Sequence, residues 1–274
     1  MVARKSDKEL AFLYEIFIAP DWGERFAELM DEHLNIPGEG NALYLGVGTG
    51  GHAMAMQERA GENLSLLCLD ENNECLLLAR AKATALNEKT RFRHARLDQS
   101  SLPDNHFDLV IGNASLAPPQ RIPTIFAEMV RVAAPGALVG IALPTFSSFG
   151  EFFSIYWEAL HDSGLLDLES DVEHLITELP TISDVEQMAE GWGLKAVMSW
   201  TRVEEFDYTS GEEFLNSPLV SDFLMQGWLA SVPETSKPQV SQEISRLINV
   251  ERHEAEFALS VKASLVTGRK AQSH

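Results

Sequence analysis

The chain has 274 residues, enough for one large α/β domain or for such a domain with insertions. Its 41 Asp and Glu against 21 Lys and Arg leave a formal net charge of −20, and no Lys/Arg cluster reverses that locally, so nucleic acid is not expected as a partner. Cys68 and Cys75, the only cysteines, make neither a disulfide framework nor a metal set, and a reduced cytoplasmic setting and no bound metal are expected.

The opening MVARKSDKELAFLYEIFIAP is too short, and too interrupted by Glu9 and Glu15, to cross a bilayer. It also lacks a small-residue cleavage site, so it reads as an amphipathic helix, and no membrane partner is expected. Leu10, Leu13, Tyr14 and Phe17, then Phe26, Leu29 and Met30, recur at helical spacing around Pro20, which predicts two helices with a break between them. Apolar runs at 42–47 and 64–69 flank a helical segment at 50–59, and together they predict a β-α-β unit. The alternation continues with a helix at 72–86, strands at 91–97 and 107–112, a helix at 121–132 and a strand at 137–143. Such an order predicts a mostly parallel sheet with helices on both faces.

Beyond Pro144 the rhythm changes. A helix is expected over 149–161, a short one opening on Ser183 as N-cap, a strand of about ten residues from Leu194, and a last strand over 257–267. Residues 207–256 are polar, carry Pro218, Pro233 and Pro238, and show helical spacing in Phe214, Leu215, Phe223, Leu224, Ile244 and Ile248; they read as a helical insertion.

Residues 43–51, LYLGVGTGG, end the first strand in glycines. Gly46, Gly48 and Gly51 satisfy the dinucleotide pattern GxGxxG, while Gly46, Gly48 and Gly50 satisfy the GxGxG loop of S-adenosylmethionine binders. Such a loop lets backbone approach a nucleotide closely and points helix N–H groups at it. Asp70, ending the second strand, stands where a carboxylate can accept both ribose hydroxyls of an adenosine, whichever cofactor carries it. The plainer use of Asp70 is as N-cap of the helix that follows.

RFRHARLDQSSLP at 91–103, FDLVIGNASL at 107–116 and EMVRVAAPGALVGIALP at 128–144 resemble, in order and spacing, the class I S-adenosylmethionine-dependent methyltransferases, especially the type 11 small-molecule group. The resemblance covers residues 40–145 or so. It implies an α/β fold: a doubly wound, Rossmann-like, mostly parallel seven-stranded sheet with an antiparallel last strand, N-terminal helices and a helical insertion. Residues 1–40 would then be a helical cap, 41–206 with 257–268 the cofactor-binding domain, and 207–256 a substrate lid. The implied cofactor is S-adenosylmethionine, and the implied partner is a small, partly apolar substrate molecule.

Carried onto this chain, the resemblance places Gly46, Val47, Gly48 and Gly50 under the methionine part of the cofactor, and Asp70 with Glu71 at the ribose. Asp98 would accept from the adenine amino group, with Gln99 backbone at the ring and Leu97 packed on it. Asn113 would face the amino-acid portion, with Ala114 and Ser115 near the transferred methyl. Tyr44 departs from the pattern: the family usually has an acid there to orient the methionine amino group, and a phenol supplies no permanent charge at neutral pH. No residue is marked as a catalytic base, and His52, His94, His106, His161 and His174 read as surface or helix-end histidines. Phe146, Phe149, Phe152, Phe153, Tyr156 and Trp157 sit at the helical spacing of core packing. Two further readings stand beside the methyltransferase. A nicotinamide-dependent oxidoreductase fits the glycines and Asp70 but lacks a Tyr-x-x-x-Lys pair, and a non-catalytic binding module fits Tyr44 and the missing base.

Overall fold

A computed structural model of the chain describes residues 5–87, 89–251 and 256–272. Residues 1–4 of the expected cap and 252–255 of the expected insertion lie outside them.

The helical N-terminus starts on a capping box: the Ser6 hydroxyl accepts from Glu9 N–H, and the Glu9 carboxylate accepts from Ser6 N–H at 2.8 Å. Pro20 does not break the helix. Between α1 (Asp7–Leu13) and α2 (Glu24–His33) the chain continues as a π-helical stretch, Tyr14–Gly23, with Pro20 inside it. The wider turn accommodates a ring and a missing N–H that a regular α-turn rejects. Continuity is favoured because Ile18, Trp22, Phe26, Leu29 and Met30 all become buried along one side.

The sheet contains β1 (Gly40–Leu45), β2 (Leu64–Asp70), β3 (Arg91–His94), β4 (Phe107–Asn113), β5 (Ala133–Pro144), β6 (Leu194–Tyr208) and β7 (Phe257–Lys270), in the order β3-β2-β1-β4-β5-β7-β6. Parallel registers set Leu43 between Leu67 and Val110, and Asn113 opposite Ala142. β7 runs antiparallel to its neighbours: Ala271 N–H donates to Gly193 O, while Thr201 and Ser264 share a 2.8 Å hydroxyl contact further along. Interleaved with the strands are α3 (Gly51–Ala60), α4 (Asn73–Leu86), α5 (Ile122–Val132), α6 (Gly150–Asp162), α7 (Glu169–Glu178) and α8 (Ile182–Gly191). This is the Rossmann-like, mostly parallel sheet with an antiparallel last strand that the sequence predicts.

Strand ends differ from expectation. β3 stops at His94 because Ala95 N–H turns to Asp70 O and Leu97 N–H to the Glu71 carboxylate, leaving the ladder. β6 runs for 15 residues and takes in Asp207 and Tyr208; β5 begins at Ala133 and β7 ends at Lys270. α7 was not anticipated at all.

The chain divides into two compact units. The first comprises Met1–Leu143, Ile182–Thr201 and Ala263–His274, and holds the nucleotide-type sheet core. The second comprises Pro144–Thr181 and Arg202–Lys262, and includes α9 (Gly211–Asn216), α10 (Met225–Trp228) and α11 (Lys237–Glu251). Its interior is aromatic: Phe152 stacks on Trp228 at 4.2 Å and on Tyr156 at 5.7 Å, with Phe214 tilted against it. Phe149, Phe152, Phe153 and Tyr156 are thus core residues, whereas Phe146 and Trp157 are exposed.

Candidate active site

The strand order reverses between β1 and β4, so the carboxyl ends of these two strands open a crevice that no crossover helix covers. The glycine loop lies there. Gly46 N–H and Val47 N–H both donate to Leu69 O, at 2.9 and 3.2 Å, which folds the loop back over β2. Gly46 has φ +72° and Gly48 φ +56°, the left-handed region that favours glycine. A Cβ on Gly46 would stand 2.2 Å from Asn113 O, so the β1 and β4 ends approach as closely as backbone allows.

Asp70 ties this loop to the next. Its Oδ2 accepts Gly48 N–H at 2.7 Å and its Oδ1 accepts Asn72 N–H at 2.8 Å. Burial raises its pKa, against the lowering effect of these backbone donors. The cap of α4 is Asn72, whose side chain accepts from Glu74 N–H and Cys75 N–H. Asp70 is therefore not the helix cap, and it stands in the crevice with the loop. Cys68 and Cys75 are both free and buried, and burial pushes the Cys75 thiol up to about 12.

On one flank of the crevice, charges interlock. Arg121 grips both Glu71 oxygens, at 2.7 and 2.6 Å, and reaches Asp98 Oδ2 at 3.3 Å. Arg96 holds Asp98 through two bonds of 2.9 Å. Hydrogen bonds from these guanidinium groups hold the Asp98 carboxyl, from Arg96 first, and the Glu71 carboxyl, from Arg121, below their usual range. Leu97 is buried beside them and Gln99 is exposed. Arg121 escaped the sequence reading, since nothing local to its 3-10 turn, Pro119–Arg121, announces a partner in the β2–α4 turn. The Glu-x-x-Arg-Val motif is structural: Glu128 accepts Ser100 N–H at 2.8 Å and the Ser100 hydroxyl, while Arg131 pairs with Glu128 and Asp104. It clamps the 98–104 loop.

The other flank is closed by the N-terminal helices. Asn113 Oδ1 accepts Ser115 N–H at 3.0 Å, and Ser115 Oγ accepts the Trp22 indole N–H at 3.0 Å, in a buried contact. Tyr44 is 2% exposed, and burial pushes its hydroxyl well above the usual tyrosine range. Its oxygen lies 2.9 Å from His52 Nδ1, and His52 Nε2 lies 2.8 Å from Asp31. His52, in the first turn of α3, is the helix-end histidine expected, and it also links Tyr44 to Asp31. Burial opposes ionisation of Asp31, but hydrogen bonds from His52 and Arg59 outweigh it and hold its pKa at about 2. A pocket of about 240 Å³ lies here, lined by Tyr14, Ala19, Pro20, Tyr44, Val47, Thr49, His52 and Asn113, with the Glu15–Lys82 ion pair at 2.8 Å on its wall. Among the described residues no group of His, Cys, Asp and Glu is arranged to hold a metal, and no helix is long and apolar enough to cross a membrane.

Residues 42–136 match a family described as a methyltransferase domain. A demethylmenaquinone methyltransferase of Bacillus licheniformis is 26% identical over 185 residues, spanning 64% of this chain and 78% of that protein. Among solved structures, the YcgJ protein of Bacillus subtilis superposes with a TM-score of 0.60 at 15% identity, covering 91% of this chain and 100% of that one. A phosphoethanolamine N-methyltransferase 2 of Haemonchus contortus, in complex with phosphomonomethylethanolamine and S-adenosylhomocysteine, superposes with a TM-score of 0.56 at 16% identity, covering 99% of this chain and 59% of that one.

Proposed function

The chain belongs to the class I S-adenosylmethionine-dependent methyltransferases, and from that premise we propose that it transfers the cofactor's methyl group to a small, partly apolar molecule. The observation that carries this reading is the pocket at the reversal of strand order. At about 240 Å³ it suits a small-molecule moiety, and its lining mixes Ala19, Pro20, Ala27 and Val47 with Tyr14, Tyr44, Asn113, His52, Glu24 and the Glu15–Lys82 ion pair. The relative in Bacillus licheniformis is named for demethylmenaquinone, a molecule of the partly apolar class proposed. We assign the cofactor to Gly46, Val47, Gly48 and Gly50 at its methionine part, Asp70 and Glu71 at the ribose, and Leu97, Asp98 and Gln99 at the adenine. We assign Asn113 to the cofactor's amino-acid portion, Ala114 and Ser115 to the neighbourhood of the transferred methyl, and the 207–256 segment to substrate choice.

The cofactor supplies a sulfonium methyl, and its transfer is an in-line displacement that needs alignment and dryness more than covalent help. The Trp22–Ser115–Asn113 chain provides that alignment by holding the end of β4 rigid. Titration calorimetry with S-adenosylhomocysteine and with NAD tests the assignment. Heat with the first is expected; heat with NAD alone would overturn it.

A further inference from the structure

The two edges of the sheet differ in length. β3 is four residues long, the short kind of edge that resists pairing with another chain, whereas β6 ends the strand order with 15 residues. Along β6, Met198 and Val203 are 54% and 56% exposed, and Thr201, Glu205 and Asp207 are exposed too. Residues 198–208, MSWTRVEEFDY, thus present an extended edge to a further strand. The order of their side chains says which strand fits.

Two copies of one strand can pair antiparallel about a twofold axis at a chosen residue, and that choice fixes every cross-strand neighbour. With the axis at Val203, that residue meets its own copy, Arg202 stands opposite the partner's Glu204, and Glu204 opposite the partner's Arg202. Trp200 then meets the partner's Phe206, and Met198 the partner's Tyr208. Thr201 and Ser199 face the partner's Glu205 and the partner's Asp207, so no acid opposes another. Moving the axis one residue back sets Arg202 against its own copy, and one residue on does the same to Glu204; like charges directly opposite are destabilising. Within one chain Arg202 Nε lies 3.7 Å from Glu204 Oε1, so pairing at Val203 gathers four charges of alternating sign.

We propose that the chain dimerises through β6, two copies pairing antiparallel about a twofold axis at Val203 so that their sheets become one. Charged residues on an edge strand ordinarily discourage pairing; these select a single register. The second copy closes the long edge and covers Met198 and Val203. This proposal stands independently of the cofactor assignment.

Sedimentation equilibrium on the full chain tests this, and a dimer is expected. Val203→Lys, at an exposed position that tolerates the change, sets two ammonium groups against each other at the axis and should weaken dimerisation at least about tenfold. Arg202→Glu should also weaken it, and adding Glu204→Arg should restore the dimer, because every opposed pair again joins unlike charges. Mild oxidation reads the register. Val203→Cys should give a disulfide-linked dimer and Glu205→Cys should not, since its two thiols would lie about 13 Å apart on strands rising about 3.3 Å per residue. Cys68 and Cys75 are buried, so the unsubstituted chain serves as the blank. The Val203 variants decide the matter if the charge variants do not fold. A chain that is monomeric at every concentration overturns the proposal. So does a dimer that Val203→Lys leaves intact, or one that links through Glu205→Cys as readily as through Val203→Cys.

Discussion

A Cβ placed on Gly48 would stand 2.5 Å from Cε1 of Tyr14, so the glycine loop and the N-terminal helices meet with no room for a methyl group. Gly48→Ala adds both this overlap and the strain of φ +56°. The combined cost should be about 1–3 kcal/mol. Removing the ring with Tyr14→Ala in the same chain should relieve the overlap but not the strain, so denaturant unfolding of both single variants and the double should show favourable coupling. Strict additivity would mean the two residues do not press on each other.

Acid should remove the stability that Glu128 gives the 98–104 loop. Hydrogen bonds from Arg131, and then from Ser100, outweigh burial and hold Glu128 at about 2 against an ordinary 4.5. Its folded pKa lies below its unfolded value, so its contribution is full above pH 4.5 and drains away as pH falls toward 2. Glu128→Gln should cost about 1–3 kcal/mol at neutral pH and flatten the fall in stability across that window. Urea titrations at stepped pH check this; parallel curves for the two proteins would refute it.

If Asp98 accepts from the adenine amino group, a base carrying oxygen in place of that amino group should be refused. We expect S-adenosylhomocysteine to bind at least about tenfold more tightly than S-inosylhomocysteine, since mispaired buried polar groups are costly. Asp98→Asn, which can turn a donor toward the new oxygen, should bring the two within about threefold. A ratio unchanged by the substitution would move adenine recognition away from Asp98.

Trp22 and Ser115 should be energetically coupled despite their distance in sequence. Trp22→Phe leaves the buried Ser115 hydroxyl without its 3.0 Å donor, at a cost of about 1–3 kcal/mol. In the Ser115→Ala background the same change should cost less, because no acceptor is stranded. A double-mutant cycle by denaturant unfolding measures the difference, and a coupling near zero would show that the contact contributes nothing net.

What could be read without coordinates was whatever leaves a short-range trace. The β-α-β rhythm from residue 42, the glycines at the first strand end and Asp70 at the second are set by apolar periodicity and by backbone conformations that few residues adopt. The stretch EMVRV at 128–132 was legible only as part of the family resemblance, and its Glu128–Arg131 pair came from the structure. Residues without such a trace needed the tertiary structure. Pro20 reads as a break, because propensity cannot weigh the burial of Trp22 and Phe26 against one missing hydrogen bond. Arg121 with Glu71, and His52 with Asp31, join separate segments of the chain, and Tyr44 meets His52 across the glycine loop; each is an ordinary polar residue until packing brings its partner within 3 Å. The sequence by itself determined the class of fold and the place of the crevice, since both follow from local pattern. Tertiary structure alone decided which charges line that crevice, because long-range pairing depends on where the helices and strand ends pack, and no local periodicity records it.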